Sequence, residues 1–459
     1  MRLPDRVTSA ACGALLPALC AAALTLSCAP AQPPAALAPP QPPPPVAPPP
    51  ASPPVVAPVP VFAPRVELPR ATAAEVGMDG AALDSVDGII ERALAAGAAP
   101  GAALAVGRHG KLVCLRGYGR LAPDAGPVND SSIYDLASLT KVIGTTSALM
   151  LLVDRGRLDL DAPVSRYVPE WQGSPGKNAV TVRNLMLHNA GLAAGAPLYR
   201  TLRGRAEFRR ALGALELQYE PGTRSVYSDF SFMLLGLIVE QVSGQTLDAF
   251  LQQELFGPLG LHDTGYIPLP TAEELARPGA TVTPGGRWTL DRIAPTEVDR
   301  NFRFTRVHGW VHDENAFALG GVSGHAGLFS SARDLAIIAQ LLLNGGSYGG
   351  RSYSSAATVA MFTSRQAENN SRALGWDTPS PNSSAGDYFG SRSFGHTGFT
   401  GTSIWVDRER DVFVVLLTNR VYPGRANQQI GPLRQAVANA VERAIRDVPV
   451  TLREPGQNP

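Results

Sequence analysis

Residues 134–154 read YDLASLTKVIGTTSALMLLVD, and they predict a helix around which the rest of the chain is arranged. Apolar residues occur at nearly every position around such a helix, so we expect it to be buried on all sides. It nevertheless carries Ser138 near its start and Lys141 three positions later, a spacing that places both side chains on one helical face. Because a hydroxyl beside a desolvated amine is a nucleophile with its base, this pair is the first candidate for catalysis.

Lysine is rare in this chain, where only Lys111, Lys141 and Lys177 accompany the arginines in a basic total of 40. Arginine can replace lysine on a surface but does not release its proton, whereas a buried lysine can. A second Ser-x-x-Lys, at residues 174–177, contains a Pro-Gly pair that favours a turn over a helix. Lys141 is therefore predicted to take part in chemistry, and the alternative is a structural helix from which its amine reaches the surface.

The composition predicts a large folded domain with a hydrophobic core. The chain has 459 residues, of which 44% are hydrophobic and 17% are charged. This length suffices for one large domain or two lobes. The formal net charge of +1 gives no indication of a nucleic acid or an acidic partner.

The first 28 residues are predicted to be a signal peptide with a lipoprotein-type cleavage site. An apolar run at residues 9–27 follows Arg2 and Arg6, which is typical of secretion signals. It ends in Leu-Thr-Leu-Ser before Cys28, which we expect to carry a lipid that anchors the chain to a bacterial membrane, facing the periplasm. Simple secretion and a retained membrane helix are the alternatives.

Residues 29–70 are rich in proline and are predicted to be a disordered linker. Proline has a fixed φ and no N–H donor, so such a tract forms neither helix nor sheet. As a polyproline II spacer of about 40 residues it would reach on the order of 120 Å. A low-complexity linker without a length constraint is the alternative. The catalytic domain is expected at residues 71–447, with a disordered tail at residues 448–459.

Strand-like runs near both ends of this domain predict one sheet. Residues 102–106 and 112–118 form a candidate hairpin, and residues 402–406 and 412–418 form a second one. Amphipathic helices are predicted before the first hairpin and after the second. The fold class is therefore α+β: an antiparallel sheet built from both ends of the domain and flanked by helices, an all-helical lobe in between, and a cleft between the two parts.

Three short motifs follow one another along the chain: Ser138-Leu139-Thr140-Lys141, Tyr227-Ser228-Asp229 and His396-Thr397-Gly398. In order, spacing and connecting text they resemble the serine β-lactamase and penicillin-binding-protein superfamily. The likeness is strongest to its class C β-lactamase, DD-peptidase and family VIII esterase branch, and it runs from about residue 76 to 447. The resemblance implies a β-lactamase/transpeptidase-like fold and a serine hydrolase that works without a metal or cofactor.

The resemblance also implies a role for each motif. Ser138 would attack a carbonyl and become acylated, while Lys141 and Tyr227 would form the acid/base pair. A tyrosine hydroxyl, with an ordinary pKa of about 10, needs adjacent positive charge to ionise at neutral pH, and Lys141 would supply it. The backbone N–H groups of Ser138 and Phe399 would form the oxyanion hole.

Two residues depart from the pattern of the family. Asp229 stands where asparagine is more common; it cannot donate as an amide does, and it favours a charged Lys141. His396 stands where β-lactamases commonly have lysine, and a mostly neutral imidazole attracts a substrate carboxylate less than an ammonium group does. Peptide substrates remain open, because some DD-peptidases share His-Thr-Gly, whereas penicillin hydrolysis is less expected. The residues expected to bind substrate here are Asp229, His396, Thr397, Gly398 and Phe399.

Residues 311–315 (VHDEN) and 321–327 (GVSGHAG) resemble a subgroup of cell-wall serine hydrolases, some of which act on muropeptides. We expect His312 to line the cleft and contact the substrate. The alternative is that residues 312–315 form a hydrogen-bonded loop. His308 and His312 are four residues apart but lack a His-Glu-x-x-His motif, so no zinc site is expected.

These observations predict a monomeric hydrolase of the cell envelope that acts through an acyl-enzyme. Its substrate would be an amide or ester, either a peptidoglycan-derived peptide or muropeptide or a small ester, so carboxypeptidase, amidase and esterase activities all remain open. The alternative from another class is a penicillin-binding sensor that acylates without efficient release, a reading that Asp229 motivates. No nucleic acid partner is expected.

Overall fold

Strands from both ends of the domain form one five-stranded sheet in the computed structural model, which describes residues 61–173, 176–270, 284–367, 370–381 and 383–453. The strands are β1 (Gly101–Arg108), β2 (Lys111–Gly119), β3 (Tyr134–Asp135), β4 (Gly265–Tyr266), β5 (Glu297–Asp299), β6 (Thr305–Val307), β7 (Leu328–Ser330), β8 (Ser347–Tyr348), β9 (Arg351–Ser352), β10 (Phe394–Thr397), β11 (Ser403–Asp407) and β12 (Val412–Thr418). The large sheet has the order β10-β11-β12-β1-β2, with antiparallel pairing throughout. The α+β prediction is confirmed, and β10 adds a strand beside the two predicted hairpins.

Helices cover both faces of this sheet. The helices are α1 (Gly80–Ala95), α2 (Ser147–Asp154), α3 (Val182–Met186), α4 (Gly204–Gly213), α5 (Asp229–Ser243), α6 (Leu247–Leu251), α7 (Glu314–Leu319), α8 (Ala332–Leu343), α9 (Ala356–Thr363) and α10 (Ile430–Arg443). Side chains alternate along a strand, and those of Leu104 and Val106 pack with α1 and α10, while Ala103 and Ala105 pack with α8. Every residue of β1 is therefore buried.

The helical lobe consists of α2, α3, α5, α6 and α9, which pack on one another. In the chain these helices lie between β2 and β10. Its central helix begins later than the sequence predicts, because Ala137 has a left-handed φ of 46° and its N–H donates to Asp135 Oδ1 rather than to a helical carbonyl. A π-helical segment, Lys141–Thr146, then leads into α2. Ser138 thus lies in the turn before the helix. Burial on all sides is confirmed for Lys141–Thr146 and for residues 147–152.

The folded domain extends beyond both predicted boundaries. In the part predicted as linker, Leu68 is buried and Arg70 pairs with Leu112 as a β-bridge. In the part predicted as tail, Val450 packs on the core beneath α1 and α10, and the Arg453 N–H donates to Asp387 O at 2.8 Å. Composition alone does not show that residues just outside 71–447 pack on the domain or form hydrogen bonds with it. The predicted signal peptide, residues 1–28, lies outside the described residues.

Among the described residues no single helix combines the length and hydropathy needed to cross a membrane. Only the pair Asp229–Ser243 and Leu247–Phe256 reaches those values together, and it is bent by 69°.

Candidate active site

Ser138 and Lys141 are in direct contact. The Lys141 Nζ lies 3.0 Å from Ser138 Oγ, 3.1 Å from the carbonyl oxygen of His325 and 2.8 Å from Asp229 Oδ1. Three acceptors match the three hydrogens of an ammonium group. The side chain of Lys141 is fully buried, so these contacts replace its hydration.

The environment of Lys141 favours its charged form. Burial alone lowers the pKa of this amine, but the charge of Asp229 and the proximity of Tyr227 outweigh it and raise the pKa above its ordinary value. A protonated amine can donate to the Ser138 hydroxyl but cannot take its proton. In this resting arrangement the proton acceptor must therefore be another group.

Tyr227 lies beside Ser138 and Lys141. The Lys141 Nζ lies 5.0 Å from the centroid of its ring, and both Tyr227 and Ser138 line one cleft. Ser228 follows it as the N-cap of α5, where its side chain accepts from the Ser231 N–H at 3.4 Å. The tyrosine is thereby held at the helix terminus that faces the nucleophile.

His188 supports Tyr227 from behind, and the sequence analysis did not identify this role. Its ring packs against that of Tyr227 with centroids 4.6 Å apart and the planes tilted by 36°, and its Nδ1 accepts from the Ser228 N–H at 3.0 Å. Burial, together with the charges of Arg372 and Lys141, holds the pKa of His188 well below its ordinary value, so the ring is neutral. The sequence signal for His188 is its place in a segment, residues 188–192, that resembles the same family.

The turn that carries Ser138 is hydrogen-bonded to the loop after β10. The Thr400 hydroxyl donates to Asp135 O at 2.7 Å, and the Thr402 hydroxyl donates to Leu136 O at 3.0 Å. Gly398 fits between them because a Cβ there would lie 2.3 Å from Leu136 O. Among the described residues, the backbone N–H groups of Ser138 and Phe399 have no acceptor, so both can donate to a substrate oxygen.

His396 lies on the wall formed by β10 and is neutral. Burial and the charges of Arg372 and Lys141 lower its pKa to about 3. Its Nδ1 lies 2.8 Å from Thr397 O, which assigns the proton to Nδ1 and leaves Nε2 as an acceptor. The ring centroid is 6.0 Å from that of Tyr227. His396 therefore supplies no positive charge to the cleft.

Arginines supply that charge instead. The cleft has a volume of about 500 Å³ and its lining includes Arg372, Arg420 and Arg434. Arg434 donates to Gly398 O and Thr402 O, both at 2.7 Å, and burial lowers its pKa to about 9. Arg420 donates to the carbonyl oxygen of Phe399 at 2.8 Å. These two arginines are thus committed to holding the loop that carries Phe399.

Arg372 has a different environment. Its guanidinium carbon lies 5.4 Å from the Tyr227 ring centroid. Among the described residues its nearest carboxylate is that of Asp377, 3.9 Å from Nη1, which exceeds hydrogen-bond distance. The guanidinium can therefore receive an anionic group in the cleft. Arg372 belongs to none of the three motifs, so the sequence analysis missed it.

His312 is buried behind Phe399 and is not among the residues that line the cleft. Its ring stacks on Phe399 with centroids 5.7 Å apart, and its Nε2 lies 2.7 Å from Glu297 Oε2. Asn315 binds Tyr199 N–H and Ala196 O. The contacts correspond to the alternative of a hydrogen-bonded loop, because the neighbouring acids and carbonyls occupy the polar atoms that a substrate would need.

No group of three or more His, Cys, Asp and Glu side chains within the described part of the chain could hold a metal ion. The structure brings together Ser138, Lys141, Tyr227, Asp229 and residues 396–399.

Comparison with known sequences gives two informative relatives. The chain is 36% identical over 362 residues to an "N-acetylmuramyl-L-alanine amidase" of Bacillus subtilis strain 168, covering 74% of this chain and 81% of that protein. It is 34% identical over 406 residues to a "Putative D-alanyl-D-alanine carboxypeptidase" of Salmonella typhimurium strain LT2, covering 80% of this chain and 90% of that one.

Comparison with solved structures supports the fold. A penicillin-binding protein homologue from Caulobacter crescentus aligns with a TM-score of 0.61 at 23% identity, covering 80% of this chain and 99% of that one. The hydrolase EstCE1 aligns with a TM-score of 0.59 at 22% identity, covering 78% and 99%. The family model described as "Beta-lactamase" matches residues 86–439. The chain is therefore a hydrolase of the β-lactamase family.

Proposed function

We propose that this serine hydrolase removes the terminal residue of a D-alanyl peptide derived from peptidoglycan, through an acyl-enzyme on Ser138. The observation that carries the choice of substrate is the guanidinium of Arg372, which lines the cleft with Ser138 and has no hydrogen-bonded acid among the described residues. A peptide with a carboxylate one residue beyond the scissile bond matches that cation. The name of the Salmonella relative supports the same substrate class.

The proposed reaction assigns each proton. In the proposed route Tyr227 starts as a phenolate beside the Lys141 ammonium. The Ser138 oxygen bonds to the scissile carbonyl carbon while its proton passes to that phenolate, and the Lys141 ammonium donates to the serine oxygen throughout. The N–H groups of Ser138 and Phe399 stabilise the negative oxygen. Tyr227 then gives its proton to the departing amine as the carbon–nitrogen bond breaks. Water repeats the sequence on the acyl-enzyme: it bonds to the acyl carbon and loses a proton to Tyr227, which returns that proton to the Ser138 oxygen as the ester bond breaks.

A paired-substrate assay tests this function. The wild-type chain is expected to release D-alanine from an N-acylated D-Ala-D-Ala peptide at a much higher kcat/KM than alaninamide from the same peptide with its carboxylate amidated. Ser138→Ala should release neither, while Ser131→Ala, a variant of a half-buried serine in a turn that does not line the cleft, should behave as wild type. Equal rates on the two peptides would refute the carboxylate assignment, and activity in Ser138→Ala would place the nucleophile elsewhere.

Cleavage of the amide between muramic acid and L-alanine is the second candidate, and the name of the Bacillus relative favours it. A muropeptide that yields a free sugar lactyl group, with no D-alanine released, would establish this activity in place of the first. Turnover beyond one equivalent of product would exclude the sensor that acylates without release.

We also propose that the domain is anchored to the bacterial envelope through Cys28. The support is the apolar run ending in Leu-Thr-Leu-Ser-Cys at residues 24–28. Processing should be sensitive to globomycin, and Cys28→Ser should move the protein out of the detergent phase. A Cys28→Ser variant that stays in that phase would indicate an uncleaved anchor.

A further inference from the structure

Three consecutive carbonyl groups, those of residues 323–325, accept hydrogen bonds, the first from a tyrosine of β4 and the other two from the helical segment that carries Lys141; we call this segment the carbonyl loop. The carbonyl oxygen of Ser323 lies 3.3 Å from the Tyr266 hydroxyl, and that of Gly324 accepts from the Thr145 hydroxyl at 2.7 Å. The carbonyl of His325 accepts from Lys141 Nζ at 3.1 Å. One of the three acceptors of the ammonium group therefore comes from a segment outside the three motifs.

The ring of His325 fixes the carbonyl loop from its other side. The Ser323 hydroxyl lies 2.8 Å from Nδ1, and Asp313 Oδ1 lies 2.9 Å from Nε2. The ring is fully buried, so both of its nitrogens depend on these partners. The same Asp313 oxygen accepts from the Ala316 N–H at 2.8 Å and begins α7. A charged side chain at a helix terminus thus sets the position of a backbone carbonyl at the lysine.

Burial raises the pKa of Asp313, but the charge and hydrogen bond of His325 outweigh this effect and hold the pKa below its ordinary value. Asp313 is therefore a carboxylate at neutral pH. A hydrogen bond from an imidazole to a carboxylate is shorter and stronger than one between neutral groups. Replacing the carboxylate with an amide weakens this bond without removing its geometry.

His312, the residue before Asp313, is connected by hydrogen bonds to the turn that carries Ser138. The His312 N–H donates to Asp135 Oδ2 at 2.6 Å, and Asp135 Oδ1 accepts from the Ala137 N–H at 2.8 Å. Ala137 immediately precedes Ser138. Residue 312 is therefore connected through Asp135 to the turn that carries Ser138, and residue 313 is connected through His325 to Lys141.

We propose that Asp313 and His325 are positioning residues that set the distance and direction of the Lys141 ammonium relative to Ser138. This inference rests on the proposed role of Lys141 in the hydrolase. The pair touches neither the cleft nor a substrate, and it acts through the carbonyl of His325. Weakening the pair lets the carbonyl of His325 shift from the ammonium group, so the amine can turn away from the serine oxygen.

The kinetic test uses Asp313→Asn and His325→Gln. A displacement of a reacting group by about 1 Å can cost on the order of a hundredfold in rate, so kcat should fall by about ten- to a hundredfold while KM changes less than about twofold. The matched control is Asp79→Asn. Asp79 also begins a helix, accepting from the Ala82 N–H at 3.0 Å, and pairs with Arg446 at 3.1 Å, but it lies on α1. This control should keep the wild-type kcat.

The deciding measurement reports on Lys141 itself. The chain contains only three lysines, so protein labelled with [13Cε]lysine should give three resolved signals, assigned with Lys111→Arg and Lys177→Arg. In Asp313→Asn only the Lys141 signal should shift, with the other two as internal references. An unchanged Lys141 signal in a folded variant would overturn the proposal. Because this signal needs no substrate, a failure here is distinguishable from a failure of the proposed hydrolysis.

Discussion

Asp229 determines what Lys141 can do. With a carboxylate oxygen 2.8 Å from its Nζ, the buried amine is held as an ammonium ion, and for this reason the proposed reaction assigns the role of base to Tyr227. Lys177 shows that burial alone does not make a lysine reactive: it is also buried, but it donates to Gln172 O and Gly213 O. The contact with a serine hydroxyl distinguishes Lys141.

Arg372 is expected to select substrates with a carboxylate. Arg372→Gln should lower kcat/KM for the D-Ala-D-Ala peptide by about tenfold or more, because a hydrogen bond to a charged group contributes roughly 1.5–3 kcal/mol. The amidated peptide and a neutral p-nitrophenyl ester should be affected much less. They control for any effect of Arg372 on Tyr227. Parallel losses on all three substrates would show that Arg372 acts on the base and not on the carboxylate.

At the scale of elements, the site forms where the turn before the π-helical segment, the start of α5 and the end of β10 line one cleft, and close backbone approaches make this possible. The carbonyl loop lies directly on α5: a Cβ on Gly324 would lie 2.0 Å from the carbonyl oxygen of Phe232. Neither of these backbone segments can move without disturbing its own helix or loop. Residue 324 must therefore be a glycine because there is no room for a side chain, and not because of its φ.

Gly324→Ala is expected to destabilise the fold by about 1–3 kcal/mol, the usual cost of overpacking a tight contact. Urea unfolding of the variant measures this free energy. The control is Gly126→Ala, where a Cβ would have no neighbour within 4 Å, and it should change stability little. Equal stability of the two variants would show that the loop can separate from α5 without cost.

At the scale of the whole molecule, the segment before the first helix is part of the domain. Arg65 pairs with the buried carboxylate of Asp334 at 2.8 Å and lies 3.8 Å from Asp263. Burial and the charge of Asp263 raise the pKa of Asp334 to about 6, although Arg65 opposes the rise. The end of the predicted linker therefore neutralises a charge inside the domain.

Arg65→Ala should destabilise the fold more at pH 8 than at pH 4. The folded pKa of Asp334 exceeds its ordinary value of 3.8, so the folded state holds its proton more tightly, and stability falls as pH rises through this range. Without Arg65 the carboxylate is unpaired above that range, a loss of roughly 3–5 kcal/mol. Unfolding at both pH values measures it, and Asp334→Asn in the same background should restore stability. An equal loss at both pH values would contradict the account.

The sequence predicted the two hairpins, the flanking helices and the three motifs, because these features are local or are shared with a known family. It did not predict that Arg372 and His188 flank Tyr227, since both residues reach it from distant parts of the chain without a motif. The expected cleft position of His312 also depended on tertiary contacts, because its acidic partner Glu297 is 15 residues away. Pattern indicates which elements form, whereas contacts between them decide which side chains face the substrate.

The charge on Lys141 is the point on which the proposed proton route depends. An NMR titration of [13Cε]lysine-labelled protein between pH 6 and pH 10 measures it directly, with Asp229→Asn as the comparison. We expect Lys141 to stay protonated over this whole range in the wild type and its midpoint to move downward in Asp229→Asn, because the neighbouring carboxylate is lost. A wild-type Lys141 that loses its proton near neutral pH would contradict it.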